Sequence, residues 1–186
     1  MKLKLGLATT LVAALTLTAL VGMHAFAGGG KTNVKADVLT GYQEATPAGV
    51  STQATGTFEA TIDDEAQTIT YRLTYSGLSA PATQAHIHFG NRFTSGGVSV
   101  WFCGSGAVAP HPLTCPAGTA TEAVLTGTFT PADVAGPASQ GIAAGEFGEL
   151  VDAMRAGMTY VNVHDTPTFG AGEIRGQIND DNQRQP

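Results

Sequence analysis

Apolar and polar residues alternate with a period of two through most of this chain, and nothing else in the sequence constrains the fold as tightly. In ATGTFEATID, Phe58, Ala60 and Ile62 fall on one face, and Thr55, Thr57, Glu59 and Thr61 fall on the other. QTITYRLTYSGL repeats the pattern, with Ile69, Tyr71, Leu73 and Tyr75 against Thr70, Arg72, Thr74 and Ser76. The intervening DDEAQ reads as a hairpin turn; it lacks the spacing of an EF-hand calcium loop. Further candidate strands are KADVLTG, TQAHIHFG, GVSVWFCG, EAVLTGTF, TYVNVHD and GEIRGQIND. Parallel strands would need helical crossovers that the chain does not supply, so an all-β, antiparallel two-sheet sandwich is expected. One segment breaks the pattern. In GEFGELVDAMRAGM, Phe147, Leu150, Val151 and Met154 recur at helical spacing with Gly157 placed to cap, which predicts one short helix before the C-terminal hairpin.

The first 27 residues read as a secretory signal peptide: Lys2 and Lys4 precede an apolar run, and Ala25-Phe26-Ala27 supplies the small-residue cleavage pattern. Residues 28–34 are expected to be a flexible remnant, 35–179 one β-domain and 180–186 a frayed tail. The destination is the periplasm, the cell envelope or the medium, with no stable membrane anchor after cleavage. The net charge of -6 becomes about -8 once Lys2 and Lys4 leave, and no basic cluster exists, which argues against nucleic acid and anionic membranes as partners. Cys103 and Cys115 are the only two cysteines. In an oxidising compartment a pair this close is expected to form a disulfide; the alternative is free thiols or metal-bound thiolates. Closing that loop contributes on the order of 3 kcal/mol by chain entropy.

Several chemical motifs are excluded. GGGKT, Gly28 to Thr32, lacks the first glycine and the preceding strand of a phosphate-binding loop. A nucleophile elbow and a His-Glu-x-x-His helix are both missing, and His164 and Asp165 are strand neighbours that point to opposite faces. What remains is AHIHFG. Because Ala85 and Ile87 take the apolar face, His86 and His88 share the other, with Cα atoms about 7 Å apart. Two readings fit that pair: ligands of one copper or zinc ion, or polar residues on the outside of a strand.

The C-terminal hairpin bears on the choice. Val161 and Val163 face the core from one strand and Ile174 and Ile178 from the other, leaving Tyr160, Asn162 and His164 opposite Glu173, Arg175 and Gln177. The matching register puts His164 beside Glu173 and Asn162 beside Arg175. The sharpest hypothesis is therefore a mononuclear Cu(II) or Zn(II) site of His86, His88 and His164, supported by Glu173, Asn162 and Arg175. A cross-strand polar ladder is the rival. His111, between prolines in the loop CGSGAVAPHPLTC, is left outside the site.

AHIHFG together with AGMTYVNVHDTPTFGAGEIRGQI, and LTGYQEATPAGVSTQATGTFEATID upstream, resembles the CHRD domain family, named for chordin and found in bacterial exported proteins. The resemblance spans Lys35 to Asn179 and implies an extracytoplasmic β-sandwich without implying a reaction. Asp165 stands where the family motif has threonine. A looser resemblance, to copper-zinc superoxide dismutase, stops at His-x-His and a following Phe-Gly. That family's further histidines, aspartate zinc ligand and guiding arginine have no counterpart pattern, so an enzyme is not the favoured expectation. The alternative from another class is a non-enzymatic envelope or extracellular module that binds a protein or glycan, its histidines structural.

Overall fold

The computed structural model describes residues 30–180. The signal peptide and residues 181–186 of the expected tail lie outside them. The strands are β1 (Lys31–Thr40), β2 (Thr55–Asp63), β3 (Thr68–Ser76), β4 (Ala82–Phe89), β5 (Gly97–Cys103), β6 (Ala123–Phe129), β7 (Thr159–Asp165), β8 (Ile174–Gln177) and β9 (Asn179–Asp180), with helix α1 (Phe147–Arg155) between β6 and β7. Every strand expected from alternation is present. Residues 31–34, read above as a loose remnant, are instead paired in β1 against Ala60 to Asp63.

The expected two-sheet sandwich is corrected to a single antiparallel sheet in the order β5-β4-β7-β8-β1-β2-β3-β6, with β9 also on β1. The reason lies in β1. This ten-residue strand pairs along β2 and reaches β8 through Thr40 and Arg175, with a register shift between Ala36 and Leu39. A bulge bends and twists a strand, and here it carries the sheet round a corner without breaking the ladder. The two edges then meet through aromatic side chains. Phe102 of β5 lies 5.6 Å from Phe58, 4.8 Å from Tyr71 and 5.3 Å from Phe129 of β6, centroid to centroid. The sheet thus curls into a nearly closed barrel around one core.

Helix α1 buries Phe147, Leu150, Val151 and Met154, as its periodicity predicts, and Gly157 follows its end at φ +66°. Arg155 donates to Asp64 Oδ2 at 2.7 Å and to Thr32 Oγ1 at 3.0 Å, tying the helix to the β2–β3 turn and to β1. Cys103 and Cys115 form the expected disulfide. Among the described residues no helix is long and apolar enough to cross a membrane.

Candidate metal centre

The strands β5, β4, β7 and β8 lie side by side. Ladder register places His86 beside Trp101 and Asn162, His88 beside Tyr160, and Gln84 beside His164. The hairpin register expected from sequence holds at Asn162 and Arg175. Alternation therefore lines up His86, His88, Tyr160, Asn162, His164, Arg175 and Gln177 on one side of the sheet, with Ala85, Ile87, Val161 and Val163 packed in the core on the other. Strand β5 shifts register twice opposite His86 and His88, an irregularity common beside functional sites.

A polar sheet face normally meets water, but this one is covered. Every residue of β7 is buried, and His86 is 2 % and His164 6 % exposed. The three rings converge there: centroids are 4.4 Å apart for His86–His88, 4.6 Å for His86–His164 and 6.4 Å for His88–His164. One nitrogen from each ring can be chosen so that all three lie within 4.8 Å of one another.

Hydrogen bonding fixes which nitrogens are available. His88 Nδ1 lies 2.8 Å from the Gly96 carbonyl and His164 Nδ1 lies 3.0 Å from the Gly170 carbonyl. A carbonyl only accepts, so in each ring Nδ1 carries the proton and Nε2 holds a bare lone pair. Those two Nε2 atoms, and His86 Nδ1, are buried without a hydrogen-bond partner. Leaving such atoms unsatisfied costs roughly 1–3 kcal/mol each. Burial first, then the neighbouring His88 and His164, push the His86 pKa down to about 2. Burial likewise takes His88 down to about 4 against the opposing pull of the Gly96 carbonyl, and it lowers His164. The rings are held neutral, the form that ligates a metal.

Glu173 does not sit on His164. Its carboxylate accepts from Thr52 Oγ1 at 2.5 Å and from the Ser79 backbone and hydroxyl, fastening two loops to the hairpin. The bond that orients His164 comes instead from Gly170 in the β7–β8 turn. Asn162 and Arg175 act at one remove. The Arg175 guanidinium lies 3.4 Å above the Tyr160 ring, whose other neighbour is the His88 imidazole, stacked 4.7 Å away at 7°. Arg175 also donates to the Asn91 and Thr94 carbonyls, and the Gly96 N–H donates to the Tyr160 hydroxyl. The 91–96 loop that supplies the carbonyl for His88 is thereby clasped.

One participant was not assigned from the sequence. Glu44 accepts from Asn162 Nδ2 at 2.6 Å, is 7 % exposed, and faces the Arg175 charge. Burial outweighs both partners and raises its pKa to about 7. Gly172 makes room for this contact: at φ +128°, a Cβ there would meet Asn162 Nδ2 at 2.7 Å and Glu44 Oε1 at 2.8 Å. The signal was the stretch Leu39-x-Gly41-x-x-Glu44, which alternation could not connect to a hairpin more than a hundred residues away. His111 lies apart, against Tyr71, Phe129 and Asp133.

The CHRD domain profile matches residues 36–178, most of the chain. The chain belongs to the CHRD domain family. Neither the comparison with curated proteins nor that with solved structures gives a match. In this CHRD domain the His-Ile-His strand and the Tyr-Val-Asn-Val-His strand, far apart in sequence, are ladder neighbours, and the histidines of the two motifs meet. CHRD domains occur in extracellular proteins, a setting that suits the disulfide.

Proposed function

We propose that this CHRD domain binds one transition-metal ion, copper or zinc, through His86, His88 and His164, in a secreted or periplasmic protein. The observation that carries this reading is the set of three buried, unpartnered imidazole nitrogens, with tautomers of two rings dictated by backbone carbonyls. With the His86 proton on Nε2, the three nitrogens offer three inward lone pairs, more than the two protons of one water can satisfy, whereas one cation takes all three. Zinc–imidazole bonds of about 2.0–2.1 Å require ligand nitrogens roughly 3.3 Å apart, so small ring rotations from the present spacing close the site. All-nitrogen donors suit Zn(II) and Cu(II), with copper tighter by the general order of affinities. A blue-copper centre is disfavoured because both cysteines are in the disulfide. Three protein ligands leave a fourth position for water or a small ligand, the arrangement from which metal-assisted chemistry would start.

The test is a metal titration of the tag-free domain followed by thermal melting. At about 100 times Kd, binding adds about 2.7 kcal/mol, which for a domain of this size raises Tm by roughly 5–10 °C. The expected result is one equivalent bound and a shift abolished in His86→Ala and in His164→Ala. A domain that takes up no Zn(II) or Cu(II) at micromolar concentrations contradicts the proposal.

A further inference from the structure

Three neutral imidazoles bring no negative charge to the ion they would hold. A divalent cation in so buried a place is costly unless an opposite charge lies near it. Arg175, stacked on Tyr160, has the wrong sign. The acids of the C-terminal hairpin face elsewhere: Glu173 is committed to Thr52 and Ser79, and Asp165, on the core side of β7 from His164, accepts from the Phe169 N–H. Glu44 is the acid that reaches this face of the sheet.

The loop that carries Glu44 is closed on itself. Its N–H donates to the Gly41 carbonyl at 3.1 Å, and its own carbonyl accepts from the Gly49 N–H at 2.9 Å. The Thr46 and Ser95 hydroxyls meet at 2.7 Å, which joins this loop to the 91–96 loop beside His88. Held there, the Glu44 side chain is 7 % exposed and accepts at 2.6 Å from Asn162, which lies opposite His86 in the β4–β7 ladder and opposite Arg175 in the hairpin. Asn162 Nδ2 also donates to the Ile174 carbonyl at 2.9 Å, so the amide is fixed in place. The titratable and charged groups around the carboxyl are Arg175 from β8, Tyr160 and His164 from β7, and His86 and His88 from β4, with Arg92 acting on Arg175 from its loop. Burial raises the Glu44 pKa to about 7 against Asn162 and Arg175, so near neutral pH the group is divided between acid and carboxylate. Burial also holds the proton on Tyr160, which leaves Glu44 as the neighbour able to change its charge.

We infer that Glu44 is the counter-charge of the metal site: its carboxyl releases its proton to solvent as a divalent ion enters, so the ion is held less tightly as the pH falls. The inference rests on the metal reading. Two positive charges enter and one proton leaves, so the buried face gains one charge instead of two. A hydrogen bond, an asparagine side chain and one strand spacing of about 5 Å put the carboxyl roughly 10 Å from an ion at the cluster. A double positive charge at that distance, in an effective dielectric of about 20, lowers a carboxyl pKa by about two. Binding therefore draws the proton off between about pH 5 and pH 7, and acidification returns it and loosens the ion.

The experiment is a Zn(II) titration of the tag-free protein at constant pH, counting the protons released per ion, run beside Glu44→Gln. Gln keeps the acceptor for Asn162, and the difference between the two proteins removes any protons given up by the histidines. At pH 6 the wild type is expected to release about 0.8 proton more per zinc than Glu44→Gln, and at pH 8 about 0.1 more. Its affinity should gain about tenfold more than that of the variant between those two pH values. A second measurement needs no variant: the Glu44 carboxyl carbon, followed by NMR, should titrate about two pH units lower with zinc bound than without. Equal proton release by the two proteins, or a Glu44 titration that zinc leaves in place, overturns the inference and leaves the metal site standing. A wild type that takes up no zinc overturns both.

Discussion

At the residue scale, the centre depends on which atoms are left without partners. His86 and His88 were legible as a same-face pair because a strand has period two, and their rings do meet. Their burial was not legible: a polar strand face reads as solvent-facing until the loops that cover it are in place. Glu44 belongs to that cover, and it gives a pH prediction. Its pKa is raised from 4.5 to about 7 by burial, so the folded state holds the proton more tightly than the unfolded state. Its contribution is fully present below pH 4.5 and is lost as pH rises through 7. Stability of the wild type relative to Glu44→Gln, measured by urea unfolding, should therefore fall between pH 5 and pH 8. Gln keeps an acceptor for Asn162 without the charge. A difference that stays flat across that range removes Glu44 as a buried, titrating part of the site.

At the scale of elements, the C-terminal hairpin was the most legible part of the site. The periodicity of Val161, Val163, Ile174 and Ile178 defined its faces, and Asn162 opposes Arg175 as that pattern requires. The role of Glu173 was read less well, since register places residues opposite each other without saying which way a carboxylate turns. Thr52 and Ser79 offer it three donors, and His164 finds a carbonyl in its own turn. Arg175 serves as the clasp between β8 and the 91–96 loop. Arg175→Met keeps much of the packing on Tyr160 but removes two charged hydrogen bonds, at a cost of about 3 kcal/mol or more in chemical denaturation. It should also loosen the Gly96 carbonyl from His88 and weaken metal binding. Loss of stability with unchanged affinity would confine Arg175 to a structural role.

At the scale of the whole molecule, the strand segments and antiparallel class were written in the alternation, but strand order was not, nor the break of GEIRGQIND into β8 and β9. Nothing local tells β4 to pair with β7 some seventy residues later, or β1 to bridge β2 and β8. Those choices follow from non-local packing around Phe58, Tyr71, Phe102 and Phe129. Closure through Phe102 is testable, because Phe102→Ala opens a void where the two sheet edges meet and is expected to cost about 3–5 kcal/mol. A cost below about 1 kcal/mol would mean that the edges are not held together there. The same closure seats β5, and with it Trp101, against the histidines.

The central claim is that three histidines from two distant strands hold one ion. Anomalous diffraction from crystals grown with Zn(II) and recorded at the zinc edge tests it most directly. The account predicts a single peak per chain, with zinc–nitrogen distances of about 2.0–2.1 Å to His86, His88 and His164. A peak elsewhere on the chain, or none at this cluster with zinc in the crystal, would contradict it.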